Sequence, residues 1–119
     1  MTPFGQLIRN LRVERGITMT ALATELEVSP AYLSALEHGH RGRPSPMLID
    51  RICAYFGLIW DDADELRQLG RLSHPRIVID TSGLDPTATE LANRLARDIG
   101  QLTPRQIEQI LDLLKVKPT

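Results

Sequence analysis

The sequence predicts an all-α protein in which five short helices form a domain and a helical hairpin follows near the carboxyl terminus. Apolar residues recur at intervals of three and four along most of the chain, which is the period of a helix with one buried face. Cap residues and first-turn prolines mark where several of these segments begin. Only residues 77–79 form a run that favours a β-strand.

The length and composition fit one domain, or one small domain with an appendage. Of the 119 residues, 42% are hydrophobic, which is enough for a core, and 14 basic against 15 acidic side chains give a formal net charge of −1. The overall charge therefore gives no argument for binding to nucleic acid. The chain contains no signal peptide and no run of about 18 apolar residues, so we expect a cytoplasmic protein. The single cysteine, Cys53, cannot form an internal disulfide, and we expect it in the core.

Three helices are predicted before residue 39. The first spans residues 3–15 and ends at Gly16, Thr18 caps the second, and Ser29 caps the third with Pro30 in its first turn. Their apolar faces are formed by Phe4, Leu7, Ile8 and Leu11, by Leu22, Ala23 and Leu26, and by Leu33 and Leu36. The connection between the second and third helices is so short that it must be a tight turn.

Two further helices complete a predicted domain of residues 1–72. Ser45 and Pro46 begin the fourth helix. The fifth follows Trp60 and has acidic residues in its first turn and arginines in its last, as the helix dipole favours. Residues 73–85 are then expected to form a linker or a short extended segment.

The third predicted region, residues 86–119, contains a helical hairpin over residues 86–115. Asp85 and Pro86 begin its first helix, and residues 103–106 fit a capping box at the start of its second. The apolar stripe consists of Ala88, Leu91, Ala92, Leu95, Ile99, Leu102, Ile107, Ile110, Leu111 and Leu114. Such a stripe is too long to be left in water, so we expect the hairpin to make a dimer. The alternative is that it folds back onto the fifth helix at Leu66, Leu69 and Leu72.

Four stretches, LRVERGIT, ALATELEVS, YLSALEHG and AYFGL, occur in this order within residues 4–58. Together they resemble the Cro/CI-type (XRE-like) helix-turn-helix domains of phage repressors and related bacterial regulators. The resemblance implies a five-helix, lambda-repressor-like DNA-binding domain. It also implies that Ala23 and Val28 are the small and apolar residues that let the second and third helices cross closely.

By the same resemblance, Glu37 pairs with an arginine of the first helix, and Arg12 is the matching position. A bidentate pair of carboxylate and guanidinium would hold the third helix at a fixed angle to the first. The alternative is a weak surface ion pair that contributes roughly 0 to 1 kcal/mol.

The resemblance places the DNA contacts in the second helix, the third helix and the loop that follows. The predicted DNA-binding residues are Thr18, Met19, Thr20, Ser29, Pro30, Ala31, Tyr32, Ser34, Ala35, His38, His40, Arg41 and Arg43. Met19 stands where the family usually has a glutamine that contacts a phosphate. Pro30, Ala31 and Ala35 stand where long polar side chains usually read base edges, and they cannot make bidentate hydrogen bonds. We expect them to contact thymine methyl groups instead.

Hydroxyl groups and arginines supply the remaining predicted contacts. Ser29, Tyr32 and Ser34 offer hydroxyls to phosphates, or in the case of Ser34 to a base edge. For Tyr32 the alternative is a residue at the edge of the core. Arg41 and Arg43 are expected to bind phosphates or to enter a narrow minor groove, which would make the shape of the DNA part of the signal.

Metal binding and catalysis are not expected. His38 and His40 have the spacing of a metal-binding pair, but neither cysteine nor a carboxylate cluster accompanies them. No motif combines a nucleophile, a base and an orienting group, so we expect neither an enzyme nor a cofactor.

A single helix-turn-helix reads few base pairs, and such domains therefore bind two half-sites about 34 Å apart as dimers. The sequence thus predicts a homodimeric transcriptional regulator, in its simplest form a repressor, that binds a palindromic operator in double-stranded DNA. Residues 77–80 are expected near the two-fold axis. The alternative is an antitoxin-like or adaptor protein that acts mainly by binding an unidentified partner protein.

Overall fold

A computed structural model describes residues 1–115, and this part of the chain is helical without a β-strand. Its helices are α1 (Pro3–Arg15), α2 (Met19–Leu26), α3 (Pro30–His38), α4 (Pro46–Phe56), α5 (Trp60–Arg71), α6 (Pro86–Asp98) and α7 (Pro104–Lys115), with a 3-10 turn at Ile99–Gln101. The predicted all-α class is therefore confirmed. The chain divides into two compact units, Met1–Ile77 and Val78–Thr119.

Side-chain caps begin the first four helices. In each, the hydroxyl oxygen of the N-cap residue accepts a hydrogen bond from a backbone N–H in the first turn. The four pairs are Thr2 and Gly5, Thr18 and Ala21, Ser29 and Tyr32, and Ser45 and Leu48. Helices α1, α3 and α4 end at glycines in the left-handed conformation, whereas α2 ends at Glu27, which adopts φ 59°.

The core of the first unit lies between its five helices. Its buried hydrophobic residues are Phe4, Ile8, Leu22, Ala23, Leu26, Leu33, Leu36, Leu48, Ile49, Ile52, Cys53, Phe56, Ala63 and Leu66. Arg15 joins the ends of α1 and α4, because its guanidinium donates to the backbone oxygens of Tyr55 and Phe56. Burial raises the pKa of the Cys53 thiol.

Helices α1 and α3 approach closely at Gly5. A Cβ added at this position would lie 2.6 Å from the Cα of Glu37, closer than Cβ atoms come to backbone atoms. The N–H of Thr2 also donates to the backbone oxygen of Glu37. Gly5 therefore lets α1 rest directly on the backbone of α3.

The first unit continues beyond α5, into residues that the sequence assigns to a linker. Ser73 is buried, and its hydroxyl accepts a hydrogen bond of 2.9 Å from the N–H of Phe4. It also donates to the backbone oxygen of Leu69. These bonds attach the chain after α5 to the start of α1.

Helices α6 and α7 of the second unit contain no buried residue within the described chain. The predicted capping box is present, since Thr103 N–H donates to Gln106 Oε1 and Gln106 N–H donates to Thr103 Oγ1. Residues 77–79, the predicted β-favouring run, form no strand. Large apolar side chains on α6 and α7 remain exposed, among them Leu91, Leu111, Leu113 and Leu114.

Candidate nucleic-acid interface

Helices α2 and α3 are separated by only three residues, which form the turn of a helix-turn-helix. Val28 N–H donates to Ala23 O at 3.0 Å, and Glu27 supplies the left-handed residue that the turn needs. Ala23 is fully buried and Val28 packs against the core. The two helices therefore cross closely at the residues that the resemblance implies.

Arg12 and Glu37 meet between α1 and α3. Arg12 Nη2 donates to Oε1 of Glu37 at 3.2 Å and to Oε2 at 3.4 Å. One nitrogen thus serves both oxygens, whereas a fork-shaped bidentate pair would use two. Only 15% of the Arg12 side chain and 1% of the Glu37 side chain are exposed, so the pair lies largely inside the domain. Arg12 Nε is buried without a hydrogen-bond partner among the described residues.

The outward face of α3 is small and mostly apolar. Pro30 and Ala31 are exposed, and Ser34 and Ala35 are half-buried one turn further along. The ring of Tyr32 packs against the edge of the core, with the Arg41 guanidinium carbon 5.9 Å from its centre. This face therefore offers methyl and methylene groups together with the hydroxyl of Ser34.

Three hydroxyl groups at the starts of α2 and α3 can still donate a hydrogen bond to a ligand. The hydroxyl oxygens of Thr18 and Ser29 accept the cap hydrogen bonds, and each O–H can still donate to a ligand. Thr20 is exposed. Met19, by contrast, is half-buried and packs against the core, so its side chain contributes mainly to the interior.

The loop after α3 carries the positive charge. Arg41 and Arg43 are exposed. His38 Nδ1 lies 2.9 Å from the backbone oxygen of Ser34, and because a carbonyl only accepts, Nδ1 carries the proton. The rings of His38 and His40 stack with centroids 6.5 Å apart.

Within residues 1–115, no three His, Cys, Asp or Glu side chains are grouped as a metal site would require.

A family model described as a helix-turn-helix domain matches residues 3–71, more than half of the chain. This chain belongs to the helix-turn-helix domain family. The matched residues contain α1 to α5 and every predicted DNA-contacting residue. The predicted recognition of an XRE-like helix-turn-helix is thereby confirmed.

Curated relatives are similar to the helix-turn-helix part of the chain. The HTH-type transcriptional regulator RghRB of Bacillus subtilis is 43% identical over 54 residues, which are 45% of this chain and 39% of RghRB. The HTH-type transcriptional repressor RghR of the same organism is 44% identical over 52 residues, 44% of this chain and 38% of RghR. The HTH-type transcriptional regulator RamB of Mycobacterium tuberculosis is 44% identical over 57 residues, 48% of this chain and 12% of RamB.

These matches thus span well under half the length of each relative. No solved structure is significantly similar to the chain. Among the described residues, no helix has the length and apolar character needed to cross a membrane.

Two basic residues that sequence reasoning missed lie beside the loop after α3. Both belong to the first unit but follow the residues matched by the family model. His74 and Arg76 follow α5 and line a groove together with His40 and Arg41. The sequence signal was the short basic stretch SHPR, but nothing local to it indicates which part of the domain it contacts.

Proposed function

We propose that this protein is a sequence-specific DNA-binding transcriptional regulator, acting as a repressor in the cytoplasm, and that two copies bind a palindromic operator. The observation that carries this proposal is the position of the exposed Arg41 and Arg43 immediately after α3, beside the outward face of a helix-turn-helix. Occupying the promoter is the simplest way for such a protein to repress.

In this proposal α3 enters the major groove and reads it mainly by shape and methyl contact. Pro30, Ala31 and Ala35 lie against thymine methyl groups, and Ser34 donates to or accepts from a base edge. Arg41 and Arg43 bind phosphates of the DNA backbone beside this groove and so fix the orientation of α3. The buried pair of Arg12 and Glu37 holds α3 against α1 in the angle required for this.

Comparing two kinds of substitution tests which side chains contact phosphates and which contact bases. We expect Arg43→Ala to weaken binding to all DNA sequences, because a phosphate contact carries no sequence information. Replacing Ser34 or Ala35 should instead change the preference between sequences. Selection of bound duplexes from a random pool, repeated for each variant, measures both effects. Equal losses on every site from both kinds of change would contradict this assignment.

The second copy is proposed to bind through the carboxyl-terminal unit. Support comes from the exposed apolar side chains of α6 and α7, which contain no buried residue within the described chain. Helices with an apolar stripe normally cover it, and a two-fold dimer covers the same surface on both chains.

Analytical ultracentrifugation of two chains tests the dimer. A chain that ends at Ile77 keeps the Ser73 hydrogen bond to Phe4, which a chain ending at Leu72 would lose. We expect the full chain to be dimeric and the chain ending at Ile77 to be monomeric at micromolar concentration. If both chains are dimeric, the carboxyl-terminal helices do not make the dimer, and if the full chain is monomeric, the homodimer proposal fails.

An antitoxin-like or adaptor protein is the second candidate. It is favoured by the lack of long polar side chains on the outward face of α3 and by the exposed apolar residues of α6 and α7. The dependence of DNA binding on salt separates the two functions. For a regulator, a plot of the logarithm of the operator affinity against the logarithm of the salt concentration should have a slope of about −0.9 per neutralised phosphate. Absence of salt-sensitive binding to duplex DNA would contradict the regulator and favour the adaptor.

A further inference from the structure

A basic groove lies where the chain after α5 meets the loop after α3. It encloses about 380 Å³ and is lined by Gly39, His40, Arg41, Gly42, His74, Pro75 and Arg76. Four of these residues have basic side chains and none is acidic. Among the described residues, neither Arg41 nor Arg76 forms an ion pair with a carboxylate. The groove therefore collects positive charge that the domain itself does not neutralise.

Both walls of the groove are held in place. The hydrogen bond from Phe4 N–H to the buried Ser73 attaches one wall to α1. The other wall begins at Gly39, which has φ 79° and where an added Cβ would be 3.7 Å from Pro75 Cβ. An added Cβ at Gly42 would likewise lie 3.6 Å from His74 Nε2, in ordinary contact. At these two positions the segments are therefore separated by only about the space of a methyl group, and both line the same groove.

The orientation of His74 makes it a donor toward this surface. The N–H of Arg76 donates to His74 Nδ1 at 3.2 Å. In the neutral ring Nδ1 is then the acceptor, so Nε2 carries the proton. Nε2 would be the nearest neighbour of a Cβ added at Gly42, and His74 lines the groove together with Arg41 and Arg76.

We propose that this groove binds a phosphate of the DNA backbone, with His74 and Arg76 as contacts outside the helix-turn-helix. This inference rests on the proposed DNA-binding function. Guanidinium groups match the geometry of phosphate oxygens, and the groove opens directly beside the loop residue Arg41, which is itself proposed to bind the backbone. The groove would extend the contact with DNA by one phosphate beyond those of α3 and its loop.

Binding of the full chain to a duplex of about 30 base pairs, three helical turns, tests this proposal. Fluorescence anisotropy is measured between 50 and 200 mM salt, a range in which such contacts weaken strongly, for Arg76→Ala, His74→Ala and the control Arg9→Ala. Arg9 is an exposed arginine of α1 outside the groove. We expect Arg76→Ala to reduce the log–log slope by about 0.9, equivalent to about eightfold weaker binding at 0.1 M salt. His74→Ala removes a neutral donor and should weaken binding at every salt concentration without changing the slope. Preference between DNA sequences should not change.

Each other outcome overturns the proposal in a distinguishable way. If the unaltered chain binds DNA with salt dependence and both groove variants match Arg9→Ala, the groove contacts no phosphate, while the regulator function stands. If the unaltered chain shows no salt-dependent binding, both proposals fail. If inorganic phosphate perturbs the His74 imidazole resonances but duplex DNA does not, the groove is a site for free anions. Circular dichroism checks that the variants, both at exposed positions, keep their helices.

Discussion

Replacing Arg12 by methionine tests whether the pair between α1 and α3 stabilises the domain from within. Methionine keeps most of the apolar stem and removes the guanidinium. Glu37 is 1% exposed, and Arg12 is the only side chain among the described residues that donates to its carboxylate. The Arg12→Met variant therefore leaves a buried carboxylate without a partner.

The expected loss is large relative to the stability of the domain. Removing one partner of a buried ion pair costs about 3 to 5 kcal/mol in free energy of unfolding. A unit of 77 residues has a total free energy of unfolding of about 4 to 12 kcal/mol at typical values per residue. The variant should therefore be marginally folded, with α1 and α3 losing protection first.

Urea unfolding of the full chain, followed by circular dichroism, measures the loss, and hydrogen exchange of α1 and α3 peptides assigns it to this pair. Arg9→Met is the control, since Arg9 is exposed on the same helix and should change stability by less than about 0.5 kcal/mol. The double variant Arg12→Met, Glu37→Met should recover most of the loss, because no buried charge remains. A loss below about 1 kcal/mol would refute the reasoning and would make the pair equivalent to a surface ion pair.

Three further changes test the packing. Gly5→Ala should lower the free energy of unfolding by about 3 kcal/mol or more in the same urea assay, because the added methyl meets the Glu37 backbone. The control Gly100→Ala, whose methyl meets open space, should cost far less, and equal effects would contradict the close crossing of α1 and α3. Glu27→Gly should stabilise the domain by about 0.5 to 1 kcal/mol by relieving the left-handed conformation, because the ion pair it removes, with Arg51, is exposed. A loss of stability would show that this ion pair outweighs the strain. Burial and the raised pKa should keep Cys53 slow to react with a thiol reagent at pH 8 and fast in urea, so equal rates would place it at the surface.

The helices of the domain could be predicted from sequence because their signals are local. The caps at Thr18, Ser29 and Ser45 and the left-handed glycines after α1 and α3 lie within a few residues of the helix ends they define. The contact between Arg12 and Glu37 spans 25 residues, and only the resemblance to a known domain indicated it. Only the structure shows that a single nitrogen of Arg12 donates to both carboxylate oxygens of Glu37 and that the pair is buried.

The groove and the close crossing at Gly5 had no comparable signal. His74 lines the same groove as Gly42, and Ser73 bonds to Phe4 across 69 residues, because α5 returns the chain to the start of α1. Local periodicity does not specify where that return brings the chain. The basic stretch after α5 consequently reads as part of a linker in the sequence and as one wall of a charged groove in the structure.

The sequence by itself determined that this protein is helical, where its first helices begin and end, and that α2 and α3 form a helix-turn-helix. These properties depend on hydrophobic period and capping, which act between neighbouring residues. Only the tertiary structure decided that Met19 packs inward and that His74 and Arg76 join His40 and Arg41. Such contacts depend on how closely and at what angle the helices cross, which is set by the packing of residues far apart in the chain.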